Sequence, residues 1–274
     1  MFNKLWNTCL VICLYLLLQA TQLQAAPITF NTALPVAKSE YMVREQFIRN
    51  QSGNDSSGAN RDRTATVTIT AFGYGINRQW TIFGVLPYQD IDLNLDSGGQ
   101  RLNRSNTGFG DLMIFTRYTA YQKNQLGQTF RVAPFLGLKA PTGTDNKSDA
   151  KGVLPSAVQV ASGSWDYFGG VVLTWQGLSY QFDTQVSYRI NNKANGFKSG
   201  NIARLDASYQ HRLWRSNSKG VIPDYLYGVI ETNFIVQDKN KVSGVADQNS
   251  NGSRLFISPG LQYVTKRWIA EVSV

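Results

Sequence analysis

Thiols, imidazoles and long apolar runs are nearly absent from this chain, and each shortage removes a class of function. Cysteine occurs at Cys9 and Cys13 only, inside an apolar run over residues 9–18. Lys4 precedes that run, and Leu23-Gln24-Ala25 follows it ahead of Ala26-Pro27. Residues 1–25 therefore read as an export signal cleaved after Ala25, since the run is too short to span a bilayer. Neither cysteine sits in the small-residue pattern of a lipid-modified one. The remainder, residues 26–274, holds no thiol, which excludes disulfides and cysteine metal sites. An exported chain of this size without disulfides needs a large sheet or core. Beyond residue 18 no apolar stretch approaches the ~20 residues of a membrane helix, so a membrane location would require a β-barrel. With one histidine, His211, no metal site or cofactor is expected. The net charge of +9 does not indicate nucleic acid, because the cations are spread one or two per segment rather than clustered.

What the chain has instead is alternation. Over residues 179–190, Tyr180, Phe182, Thr184, Val186, Tyr188 and Ile190 alternate with Gln181, Asp183, Gln185, Ser187 and Arg189. The preceding run 165–175 alternates too, and only Gln176-Gly177-Leu178 lies between, so the two form a hairpin. Further strands are expected at 37–48, 63–74, 79–88, 109–121, 129–140, around 203–212, 225–236 and 254–263, with an eleventh starting at Trp268. The apolar phase of such strands faces either a second sheet, as in a sandwich, or lipid, as in a barrel.

Loop length separates the two. Segments 50–62, 89–108, 141–163, 191–200 and 237–252 are long and polar, and all follow odd-numbered strands. A sandwich has no reason to sort its loops this way, whereas an outer-membrane barrel has short periplasmic turns on one rim and longer extracellular loops on the other. The aromatics agree. Trp80, Tyr118, Phe130, Trp175, Tyr209 and Trp268 fall at the short-turn ends, while Phe47, Tyr88, Phe109, Trp165, Tyr188 and Phe234 fall at the long-loop ends. Rings of this kind gather at the two membrane interfaces. The expected fold is thus all-β: an antiparallel up-and-down transmembrane β-barrel, a monomer in outer-membrane lipid. Eleven visible strands leave one edge unpaired, so about twelve strands are expected when complete, with the last one missing after Val274.

Several short motifs carry a resemblance. Phe109-Gly110-Asp111-Leu112, Arg117-Tyr118, Gly137-Leu138-Lys139-Ala140-Pro141-Thr142-Gly143 and Ser162-Gly163-Ser164-Trp165-Asp166-Tyr167 resemble, in order and spacing, the MetA-pathway of phenol degradation family. The resemblance covers most of the chain beyond the signal and implies an outer-membrane barrel, labelled a transporter and associated with uptake of aromatic compounds. It implies no catalytic residues.

The polar phase holds the candidate site. Arg44, Arg117, Arg131, Lys139, Arg189, Arg204, Arg212 and Arg254 are interleaved with Glu40, Asp111, Asp183, Asp206 and Glu231. Such charges can brace a barrel through cross-strand pairs, or line a lumen with a cationic excess that favours anionic or polar small solutes. If the turn after the fourth strand centres near Gln125, Asp111 lies opposite Lys139, Arg117 opposite Ala133 and Arg131 opposite Thr119. Asp111 and Lys139 are then a structural cross-strand pair, and Arg117 and Arg131 face solute. A barrel hydrolase would need His211 beside a nucleophile, and none is indicated; an interfacial histidine is the expected role. The carboxylates of 90–96 read as a solvated strand extension in preference to a calcium loop.

Overall fold

The computed structural model describes residues 26–53, 58–217 and 223–274. The expected signal peptide lies outside them. Alternating sequence becomes strand throughout: β1 (Tyr41–Ser52), β2 (Asp62–Gly75), β3 (Trp80–Ser97), β4 (Gln100–Phe109), β5 (Leu112–Tyr118), β6 (Tyr121–Gln125) and β7 (Gln128–Ala140). The short pair β8 (Ser148–Asp149) and β9 (Gly152–Val153) precedes β10 (Asp166–Gly177) and β11 (Tyr180–Ile190). Another short pair, β12 (Lys193–Ala194) and β13 (Phe197–Lys198), leads to β14 (Ile202–Arg215) and β15 (Tyr225–Gln237). Last come β16 (Lys241–Val242), β17 (Val245–Ala246), β18 (Gly252–Val264) and β19 (Ile269–Ser273).

The main sheet is antiparallel, in the order β1-β2-β3-β5-β7-β10-β11-β14-β15-β18-β19, with β4 joining β3 and β6 joining β7. Its neighbours follow chain order, as an up-and-down barrel requires. β1 and β19 share no ladder among the described residues, so both are sheet edges.

Three segments read as loops are built otherwise. Residues 89–108 extend β3 and return as β4 through a turn at Gly98-Gly99, whose φ angles of 58° and 76° only glycine adopts readily. The carboxylates of 90–96 lie on this extension, Asp90 accepting from Thr107 at 2.6 Å and Asp96 paired with Arg101 at 3.1 Å. Segments 191–200 and 237–252 each fold back as a hairpin, and the two hairpins join into a sheet in the order β12-β13-β16-β17.

The two faces of the main sheet are inverted relative to a soluble protein. Leu136, Val186, Leu205 and Ile230 are exposed, as are the rings of Trp80, Trp175 and Tyr209 near one rim and Phe47, Phe109 and Trp165 near the other. On the opposite phase Thr174, Asp183, Asp206, Gln210, Glu231 and Gln262 are fully buried. An apolar outside around a polar inside is the pattern of a barrel in lipid. Glu45, on the outward phase, shares a hydrogen bond with Thr70 at 3.1 Å.

Candidate functional site

A buried polar face must have its donors and acceptors partnered, and here two inserts supply many of the partners. The first is the segment before β1. Its backbone lies against the inner phase, where Ile28 N and Thr29 N donate to Glu231 at 2.6 and 3.0 Å, and Thr29 Oγ1 donates to it at 2.6 Å. Further along, Thr32 Oγ1 donates to Asp183 at 3.0 Å, Ala33 N donates to Thr174 Oγ1 at 2.7 Å, and Val36 N reaches Thr81 Oγ1 at 3.3 Å. Ala33 packs with Ala133 and Val172 in a small apolar contact with none of the three exposed. The segment crosses from β18, through Gln262 and the Ala26 carbonyl at 2.9 Å, to β3. It occupies the short-turn half of the interior.

The second insert is the loop between β7 and β10, which folds inward at the long-loop end. Leu154, Val158 and Val160 pack on Ala65, Ile91 and Leu93. Gln89 and Asn106 donate to the carbonyls of Val160 and Val158 at 2.7 and 3.1 Å. Two staples fix it. Arg104 Nε lies 2.6 Å from Asp149, and Lys139 Nζ lies 3.0 Å from Asp111 and 2.7 Å from Asp166. Ser162 donates from its amide and its hydroxyl to Asp111, both at 2.9 Å, and accepts from Lys139. Asp111 and Lys139 do meet, but not as directly opposed residues: Lys139 faces Met113. The turn is Leu126-Gly127, with Gly127 at φ 77°, rather than one centred on Gln125, and this moves the register. Arg117 is accordingly opposite Phe135, and Arg131 opposite Gln122 and Thr174.

Between the inserts lies a layer the sequence reading did not assemble. Phe83 and Phe115 stack at 4.6 Å between ring centroids, and Phe115 meets Phe135 and Phe168 edge-on at 6.2 and 6.0 Å. Arg117 lies over Phe83 at 4.8 Å and Arg189 over Phe168 at 5.8 Å, cation on ring face. Glycines on the same phase make room. A Cβ at Gly137 would come within 2.4 Å of the Phe115 Cβ, and one at Gly170 within 2.9 Å of the Phe135 ring. Three inward glycines, Gly73, Gly137 and Gly170, each cross-strand to one of these phenylalanines, were the available sequence signal.

The other candidates distribute around this layer. Arg117, expected to face open lumen, is instead buried and donates to the Leu34 carbonyl at 2.6 Å, because the N-terminal segment covers it. Arg131 keeps its Nε buried and without a hydrogen bond. Asp183 and Glu231 are taken up by the N-terminal segment. Asp206 binds Arg204 at 2.9 Å, Asn233 at 2.8 Å and Gln185 at 3.1 Å. Arg189 also contacts Met113 Sδ at 3.5 Å. Arg44 pairs with Glu271 across the sheet edges. Arg212 donates to the Leu178 carbonyl at 2.9 Å at the short-turn rim, and Arg254 is exposed at the opposite one. His211 stacks on Tyr209 at 6.2 Å between ring centroids.

No curated protein sequence matches the chain. Its fold is similar to the crystal structure of the COG4313 outer membrane channel from Pseudomonas putida F1, with a TM-score of 0.59 and 13% identity, over 91% of this chain and 96% of that one. The motifs around Asp111, Lys139 and Asp166 fall within a family model that spans residues 48–273, and the chain belongs to that family, described as Putative MetA-pathway of phenol degradation.

Proposed function

We propose that this protein is an outer-membrane channel that passes small molecules without catalysis, and that its solutes are aromatic, anionic or both. The phenylalanine layer carries this reading, because it sits between the two inserts and its partly exposed Phe168 ring has Arg189 over it, while Arg117 on the far side is occupied by the Leu34 carbonyl. Ring faces pack on a flat apolar body, and a guanidinium donates to a carboxylate or phenolate at its edge. Arg44, Arg131, Arg204, Arg212 and Arg254 stand against Asp183, Asp206, Glu231 and Glu271, the last paired with Arg44, a small cationic excess that favours anions along the same path.

The two inserts favour a second reading, a braced and non-conducting barrel whose loops do the work. Planar-bilayer recording separates them. The channel reading expects discrete conductance steps, a reversal potential in a salt gradient on the anion side, and block by benzoate. Cation preference overturns the proposed solute class, and a flat baseline overturns the channel.

A further inference from the structure

The small sheet at the long-loop rim contains a row of like charges. In β12, β13 and β16, Lys193 is directly opposite Lys198, and Lys198 directly opposite Lys241. Directly opposed residues on neighbouring strands point to the same face, and like charges so placed oppose folding of the sheet. None of the three forms an ion pair among the described residues, and Lys193 and Lys241 are exposed.

Nor is the row an accident of loose loops. The hairpins turn at Asn195-Gly196 and Ser243-Gly244, all four residues having positive φ, which is the mirror-image turn that suits strand twist. Ser243 N donates to the Gly196 carbonyl at 2.7 Å, Gly200 N donates to Asn240 Oδ1 at 2.8 Å, and Asn195 Nδ2 donates to Asp145 at 2.7 Å. A built sheet with uncompensated ammonium groups in line is shaped for an anion from outside the chain. The opposite face carries Ala194, Phe197, Val242 and Val245, the two valines exposed. An element with one cationic and one apolar face suits an amphiphile better than a free ion.

We infer that this sheet docks the phosphate groups of outer-leaflet lipopolysaccharide. The inference rests on the outer-membrane orientation proposed above, which makes the long-loop rim extracellular, but not on conduction. Lysines near an anionic lipid surface act additively, so replacing all three with glutamate removes about a hundredfold of affinity.

The test uses the whole protein in detergent and measures binding of rough lipopolysaccharide, and of the same glycolipid after phosphatase treatment, by native mass spectrometry. The wild type and a triple lysine-to-arginine variant retain the phosphorylated lipid, and the wild type releases the dephosphorylated form. The Lys193→Glu, Lys198→Glu, Lys241→Glu variant loses the phosphorylated lipid while keeping heat-modifiable gel mobility. Equal retention by that variant overturns the inference, as does equal binding of the dephosphorylated lipid. A change in anion flux with unchanged lipid binding also overturns it, by moving the lysines' role to the channel mouth. Absence of conductance in the wild type would bear only on the channel proposal.

Discussion

Arg44 of β1 and Glu271 of β19 form an ion pair across the two edges of the sheet, where no backbone hydrogen bond joins the strands. The same guanidinium donates to the Pro27 carbonyl at 3.3 Å and to the Ile28 carbonyl. One side chain therefore holds both the curl of the sheet and the start of the internal segment. Both partners are half-buried, so removing one leaves the other short of hydrogen bonds, at a cost of about 1 kcal/mol, the low end for a buried group. Arg44→Met is expected to lower the thermal transition in detergent. The exchange Arg44→Glu with Glu271→Arg should restore the edge contact but not the carbonyl contacts, recovering stability only in part. Full recovery would mean the segment owes nothing to Arg44.

Glu231 is the strongest anchor of that segment, accepting two backbone N–H groups and the Thr29 hydroxyl. Glu231→Ala strands these donors in a buried site, at roughly 1–3 kcal/mol. The segment's other contacts, at Thr174, Asp183 and Arg117, are on different strands, so the outcome is local release rather than loss of the barrel. Protease cleavage between residues 26 and 38 should accelerate, with gel mobility of the barrel unchanged. Conductance should also rise, by roughly twofold or more if the segment is the narrowest obstruction. A cleavage rate equal to wild type would show that the segment is held elsewhere.

Legibility from sequence divides along the same line. Period-two alternation is a property of neighbours in the chain, so the strands, their inward phase and the polar character of the interior could be read directly, as could the contact between Asp111 and Lys139. The register could not, since it depended on whether the turn was Leu126-Gly127 and on a break between β5 and β6. The short hairpins were signalled by Gly98-Gly99 and Asn195-Gly196, yet their polar composition made them read as loops. The internal segment had no local signature at all. Its partners at Thr174 and Glu231 are 141 and 203 residues away, and an irregular stretch that borrows hydrogen bonds from side chains shows no periodicity of its own.

Two glycines only a few strands apart predict opposite responses. Gly137 lies on the inner phase, where a Cβ would meet the Phe115 Cβ at 2.4 Å and the Ile114 carbonyl oxygen at 2.7 Å. Backbone cannot give way cheaply, so Gly137→Ala should destabilise by roughly 1–3 kcal/mol and loosen the phenylalanine layer. Gly84 has no neighbour within 4 Å of a would-be Cβ and an ordinary φ. Gly84→Ala should be neutral or stabilising by about 0.4–1 kcal/mol, through the unfolded chain. Thermal unfolding of both variants in one detergent checks the pair, and equal effects would contradict the assignment of faces.

The loop between β7 and β10 has two staples of different character, and acid distinguishes them. Lys139 is buried between Asp111 and Asp166. Lys139→Met leaves two carboxylates facing each other without a counter-charge, at roughly 3–5 kcal/mol, and should free the loop to protease at neutral pH. Arg104 is as buried as Lys139, but its partner Asp149 is more exposed than Asp111 or Asp166. The Lys151 backbone N–H, and then Arg104, hold the Asp149 carboxyl below the usual carboxylate range. A carboxyl whose folded value is depressed contributes stability that is complete above its unfolded value and is lost as pH falls through the folded one. The Asp149 contribution therefore disappears below about pH 4. Asp149→Asn should accelerate pepsin cleavage within residues 144–160 at about pH 5, where the wild-type staple is intact, and the two proteins should converge as the pH is lowered further. Identical cleavage at every pH would show that Asp149 does not hold the loop and that the Lys139 cluster does so alone.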